Sequence, residues 1–188
     1  MTRIIGGVLG SLRLKGPAKA TRPTTDRVKE SIFSILESRG AIQDARVLDL
    51  FAGTGALGLE AASRGAKSVI LVEKDPAAAK VCDENLKQVT KGLSKSGLKT
   101  DVRLVRSHAK SFLKKSEPID LVFVDPPYGR SREEILDLLG SLSLSDHGIV
   151  VLERSGKEEA PIHSDFFLDK ENSYGDTKVF LLARDGAR

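Results

Sequence analysis

Four consecutive residues, Asp125-Pro126-Pro127-Tyr128, combine types suited to chemistry on a planar amine. An aromatic exocyclic amine delocalises its lone pair into the ring, and it attacks poorly until two acceptors hold its hydrogens and draw the nitrogen toward a tetrahedral shape. The Asp125 carboxylate and the Pro126 carbonyl offer two such acceptors, since paired prolines fix the backbone and leave carbonyls without a competing amide hydrogen. The Tyr128 ring adds a flat surface on which a base turned out of its helix can stack. The competing reading of these four residues is a rigid loop after a strand.

A second constellation precedes it. In Asp49-Leu50-Phe51-Ala52-Gly53-Thr54-Gly55-Ala56-Leu57-Gly58 the glycines fall at G-x-G-x-x-G spacing, and Glu73 lies 20 residues after Gly53, where a carboxylate can bond ribose hydroxyls. Spacing alone suits NAD, and a tight turn without a ligand also favours glycine. Asp49 tilts the balance. A dinucleotide sets its pyrophosphate against the helix N-terminus, where a nearby carboxylate repels it, whereas the same carboxylate attracts a cationic cofactor such as S-adenosylmethionine.

Other side chains narrow the classes. Cys82 is the only cysteine, which excludes an intramolecular disulfide and a cysteine-based zinc site, and a buried structural thiol is expected. His108, His147 and His163 are scattered without clustered carboxylates, so no metal site is expected. The net charge of +4 is unevenly placed: residues 1 to 39 carry eight basic side chains against three acidic ones, leaving the remainder at −1. A basic arm on a nearly neutral body suits an approach to phosphates, the alternative being a solvated tail. No apolar run is long enough to span a bilayer, and no apolar leader follows Met1. A cytoplasmic protein without membrane contact is expected.

The elements that position these residues follow from periodicity. Apolar runs at 46–51, 68–73, 102–105, 119–124 and 148–153 read as strands, several with the continuous apolar character of strands buried on both faces. Helices are expected from Gly55 to about Ser63, from Asp75-Pro76 with aspartate as cap and proline at the first position, and from Ser131 onward. At the amino end, residues 3 to 14 suggest a glycine-containing hairpin and 25 to 38 a helix with Val28, Ile32, Ile35 and Leu36 on one face. At the carboxyl end, 166–168 and 178–182 flank Asn172-Ser173-Tyr174-Gly175-Asp176 as an antiparallel hairpin. Lys91 to Lys99, with two glycines and two serines, is expected to be a loop. The fold class is α/β: a seven-stranded Rossmann-like sheet, mainly parallel, with residues 1–40 an extension packed on a core of residues 41–188.

The motif Asp49 to Gly55 resembles the first motif of class I methyltransferases, and Asp-Pro-Pro-Tyr resembles the reactive motif of enzymes that methylate amino groups of bases. Arg3-Ile4-Ile5-Gly6-Gly7, the segment Arg22-Pro23-Thr24 through Glu30, and Asp49 to Ala61 occur in order, and Tyr174-Gly175-Asp176-Thr177 closes the chain. Together they resemble the RsmD family over nearly the whole length. That resemblance implies S-adenosylmethionine as cofactor, held by Asp49, Phe51, Gly53, Thr54, Gly55, Glu73 and Lys74, with Ser107, His108 and Ala109 along the adenine. Many relatives have an acid where this chain has His108, which leaves the Ala109 backbone as the adenine contact.

It implies Asp125, Pro126 and Tyr128 as the reactive residues and the N2 amine of a guanine in 16S ribosomal RNA as substrate, within naked RNA, the small ribosomal subunit or an assembly intermediate. Arg3, Arg13, Arg22, Thr24 and Arg27 are the candidates for RNA contact, Arg22 and Thr24 alternatively closing the cofactor pocket. Three further readings stay open: a DNA adenine-N6 or cytosine-N4 methyltransferase, a noncatalytic RNA-binding protein of this fold, and an NAD oxidoreductase.

Overall fold

A computed structural model describes residues 2–16, 25–113, 117–127 and 129–184. The two-residue strands β1 (Thr2–Arg3) and β2 (Arg13–Leu14) pair antiparallel around a single turn of 3-10 helix, and α1 (Asp26–Ser38) follows. Then β3 (Arg46–Asp49), α2 (Ala56–Ser63), β4 (Ser68–Glu73), α3 (Pro76–Lys95), β5 (Asp101–Arg106), α4 (Ala109–Leu113), β6 (Ile119–Val124), α5 (Arg132–Gly140) and β7 (Leu144–Ser155) alternate. The hairpin β8 (Phe166–Tyr174) and β9 (Thr177–Arg184) ends the fold. The seven-stranded sheet has the order β5-β4-β3-β6-β7-β9-β8, parallel from β5 through β7 and antiparallel at β9 and β8. Strand order reverses between β3 and β6, the switch point at whose carboxyl edge open α/β sheets form ligand crevices.

Strand alternation sends side chains to two apolar layers. Val47, Leu71, Phe123, Val151 and Val179 face α1, α2 and α3, while Leu48, Val72, Val124, Leu152 and Phe180 face α4 and α5. The helix starts follow their caps: Asp75 accepts from the Ala78 amide at 2.8 Å with Pro76 behind it, and Ser131 and Glu134 form a reciprocal capping box. In α1 the buried face is Val28, Ile32, Phe33 and Leu36. Ile35 is only half-buried, because the face is turned so that the Phe33 ring meets the Phe123 ring at 5.6 Å between centroids.

Two expectations change. The strand expected from Gly148 begins at Leu144, so His147 lies inside β7. The loop expected from Lys91 to Lys99 is, as far as Lys95, the last turn and a half of α3. Cys82, Asn85, Val89 and Leu93 repeat at helical spacing and are buried, and that stripe outweighs the low helix propensity of Gly92 and Ser94. Gly92 is also where Leu9 rests: a Cβ there would lie 2.8 Å from Leu9 Cδ2.

The amino-terminal hairpin is fastened to α2 by a buried polar network. Glu60, fully buried, accepts from the amides of Ile5 and Gly6 at 2.6 and 2.8 Å and pairs with Arg64, which also reaches Glu37 and lies over the Phe33 ring. Ser63 accepts from the Leu9 amide and donates to the Gly6 carbonyl. Gly7 must be glycine, since its φ is +70° and a Cβ would fall 2.0 Å from the Ser63 carbonyl oxygen. Lys29, counted above in the basic arm, is buried and donates to the Arg3 carbonyl; desolvation lowers its pKa while Glu60 and Asp26 oppose the shift.

Candidate active site

The turn from β3 into α2 is built on glycine. Gly53 and Gly55 have φ of +53° and +83°, and Gly55 caps α2 in the left-handed conformation. At Gly58 a Cβ would lie 2.3 Å from Leu71 Cδ2, so its absence lets α2 press onto β4. Asp49 lies beneath this turn, only 1% exposed, with one oxygen accepting from the Gly58 amide at 3.0 Å. Burial raises its pKa to about 7, opposed by that hydrogen bond and reinforced by Glu73. Asp49 therefore shapes the turn from below and lends it negative charge.

Glu73, half-exposed at the end of β4, divides its carboxylate between two amides, Gly53 at 2.9 Å and Asp75 at 2.8 Å. Each oxygen keeps a second lone pair for a hydroxyl. Thr54 is half-buried, and its carbonyl accepts from Asn85 at 2.9 Å. Asn85 also exchanges two hydrogen bonds with the backbone of Lys15, tying the amino-terminal segment to the turn. Cys82 is buried beside Gly55, and burial pushes its thiol pKa far up, so it is inert packing. On the neighbouring strand end, the Ser107 amide donates to the Glu73 carbonyl, His108 and Lys74 are exposed, and Ala109 is buried at the start of α4.

Across the switch point, Asp125 follows β6, half-buried, with Pro126 buried and Pro127 exposed. Tyr128 lies outside the described residues. Desolvation first, then Glu153 and Asp49, push the Asp125 carboxyl well above the usual carboxylate range. The strand registers explain the company it keeps. Asp49 is level with Leu71 of β4 and Phe123 of β6, which puts Glu73 and Asp125 two residues farther toward the carboxyl edge, and Val124 is level with Leu152, which puts Glu153 beside Asp125. By alternation all four acids project to the face that carries α1, α2 and α3. The result is a row of carboxylates across four adjacent strand ends.

Two members of this edge carry no sequence motif. Arg130 places its guanidinium 5.4 Å from the centroid of the half-buried Phe51 ring, joining the loop after β6 to the glycine turn. Arg154, buried, donates to the Arg130 carbonyl at 2.8 Å and pairs with Glu158. Glu153 carried one readable signal: like Glu73 and Asp125, it is an acid that closes an apolar run.

Of the candidates for RNA contact, Arg3, Arg13 and Arg27 fall among the described residues. The Ser31 hydroxyl meets Tyr174 near the carboxyl edge of the sheet and Arg39 pairs with Asp169 near the other, so α1 begins at the edge that carries the carboxylates. Arg3, Arg13 and Arg27 are exposed, Arg3 being paired with Asp26 at 3.0 Å. Arg22 and Thr24 lie outside the described residues. Among the described residues there is no group of three or more histidine, cysteine or acidic side chains placed to hold a metal, and no helix long and apolar enough to cross a membrane.

Residues 2–183 match the family described as "Conserved hypothetical protein 95". The chain is 38% identical over 188 residues to ribosomal RNA small subunit methyltransferase D of Escherichia coli K12, covering 97% of this chain and 90% of that one. It is 34% identical over 193 residues to the putative rRNA methyltransferase YlbH of Bacillus subtilis, covering 98% and 100%. Among solved structures, the putative methyltransferase yhhF of Escherichia coli superposes with a TM-score of 0.82 at 37% identity, covering 98% of both chains.

Proposed function

This chain belongs to the conserved hypothetical protein 95 family, the RsmD family of rRNA methyltransferases, and from that membership we propose that it methylates the exocyclic N2 amine of a guanine in 16S ribosomal RNA. The observation that carries the reading is the pairing of Asp125-Pro126 with the glycine turn across the switch point, on one acidic edge. That edge fits S-adenosylmethionine. Burial away from water, with neighbouring acids adding to it, makes Asp49 and Asp125 hold their protons tightly, and a bound cation would favour their charged forms. The open side of Gly53, the free lone pairs of Glu73, the Phe51 ring and the segment Ser107 to Ala109 would hold the nucleoside. S-adenosylmethionine, when bound, supplies a methyl group on a sulfonium that departs as a neutral thioether.

The chain's own residues do the rest by positioning. Asp125 and the Pro126 carbonyl hold the two N2 hydrogens, leaving the nitrogen lone pair free to form the N–C bond. Orientation of this kind contributes on the order of several kcal/mol. As that bond forms, N2 becomes cationic and loses a proton, and Asp125, whose proton affinity is raised, is the acceptor at hand. Arg3, Arg13 and Arg27, with Arg22 and Thr24 from the preceding segment, would meet the RNA backbone.

The test is to incubate the protein with methyl-labelled S-adenosylmethionine and, separately, naked 16S RNA, small-subunit particles and duplex DNA, then digest to nucleosides. Label in N2-methylguanosine is the expected result, and label confined to N6-methyladenine or N4-methylcytosine sinks the proposal.

A further inference from the structure

Glu153 is the one member of the acidic row that the reaction so far leaves without a task. It stands where β7 leaves β6 behind, beside Asp125, and its backbone stays paired to Val179 of β9. The flanking residues are fixed: Leu152 is buried in the core, and buried Arg154 is held by Glu158 and the Arg130 carbonyl. Glu153 therefore presents a half-buried carboxylate at a rigid strand end, on the same face as Asp125. The register of β6 and β7 sets Glu153 level with Asp125 on the adjacent strand end.

The amine that Asp125 holds never arrives alone, because every base carries a ring nitrogen beside it. Next to N2 of guanine is N1–H, a donor. Next to N6 of adenine is N1, and next to N4 of cytosine is N3, both lone pairs. A carboxylate beside the amine-binding group accepts from the first and repels the other two, which leaves the mismatched groups buried and unpaired. Resting on the guanine-N2 reading of the site, we infer that Glu153 selects the base, accepting N1–H of guanine while Asp125 and the Pro126 carbonyl hold N2. It also sets the orientation, since the opposite flank of N2 is the N3 lone pair and a guanine turned over meets the carboxylate with that atom.

The test separates N1–H from everything else the base offers. Small-subunit RNA is prepared with either guanine or 2,6-diaminopurine at the methylated nucleotide, once product mapping has located it. The analogue keeps the 2-amino group but carries a lone pair at N1. The wild-type protein is expected to favour guanine in kcat/KM, and Glu153→Gln, whose amide can donate to N1, is expected to shrink that preference by at least about tenfold while cofactor affinity is unchanged. Loss of the O6 contact affects both proteins alike and cancels in the comparison.

An unchanged preference in Glu153→Gln, with both substrates slowed equally, overturns the inference and leaves Glu153 acting only through Asp125. If Glu153→Gln does not fold, Glu153→Ala takes its place: removing the carboxylate that repels the N1 lone pair is expected to shrink the preference for guanine, and an unchanged preference, or equal use of the two bases by the wild-type protein, overturns the assignment. A product other than N2-methylguanosine defeats the underlying reading first, so the two failures are distinguishable.

Discussion

The molecule buries charge in two places and treats it in opposite ways. Under the amino-terminal hairpin, Glu60 is matched by Arg64 and two backbone amides, and Lys29 by a carbonyl and two nearby acids, so each charge has its complement. At the carboxyl edge of the sheet, Asp49, Glu73, Asp125 and Glu153 share one sign, and burial first, with the neighbouring acids adding to it, raises the pKa values of Asp49 and Asp125. The first arrangement is complete within the chain and holds structure. The second sets like charges side by side on adjacent strand ends, the arrangement that suits a cationic ligand and an amine donor. Stability and function are thus separated by whether a buried charge sits beside its opposite or beside its like.

The sharpest break in that contrast comes from Asp125→Ala. It should lower methyl transfer by about 10³-fold or more while leaving S-adenosylmethionine binding measurable by calorimetry, in keeping with the loss of a group that acts on the reacting amine. Loss of cofactor binding instead would move Asp125 to the cofactor half of the site. In the amino-terminal network, Glu60→Ala should do the reverse. Leaving Arg64 and the Ile5 and Gly6 amides without their acceptor should cost about 3–5 kcal/mol in denaturant unfolding, with cofactor affinity of the folded protein nearly intact.

Asp49 gives the test of sign. Its folded-state pKa lies above the ordinary aspartate value of 3.8, so its ionisation opposes folding: stability is greatest below that value, falls as pH rises toward about 7, and levels off beyond. Asp49→Asn keeps an acceptor for the Gly58 amide and removes the penalty. Unfolding at pH 8 should show a gain of up to about 4 kcal/mol, with weaker S-adenosylmethionine binding. A loss of stability at pH 8 would mean that Asp49 is not held at the cost inferred. Burial, with Glu153 and Asp49 adding to it, places the acid limb of methyl transfer above the usual carboxylate range, because Asp125 works ionised and protonates early as pH falls. In Asp49→Asn that limb should move to lower pH.

The smallest effect belongs to the exposed arm. Replacing Arg3 and Arg13 by Ala should weaken RNA binding several-fold and flatten its salt dependence by about one unit of slope per lost phosphate contact, with cofactor binding unchanged. Equal weakening of both would place these residues in the polar network that holds the hairpin.

The amino-acid sequence by itself determined the parallel order of alternating strands and helices, the glycine turn after the first sheet strand, and the place of Asp125-Pro126 after the fourth, at the same carboxyl edge. These are local signals: apolar runs, caps and glycines at fixed spacing declare themselves over a few residues. That the two strands are neighbours came from the sheet order. The last turns of α3 were obscured because Gly92 and the serines around it read as loop, while the buried stripe of Val89 and Leu93 becomes decisive only once a sheet lies beneath it.

Only the tertiary structure decided which charges are buried and which neighbours they meet. Lys29 and Glu60 look like solvated helix residues 31 positions apart, and Glu153 like the end of an ordinary strand. Strand register aligned Glu153 with Asp125, and the packing of the hairpin on α2 buried Glu60. The physical reason is that the energy of a charge depends on its desolvation and on its neighbours, both set by residues distant in the chain.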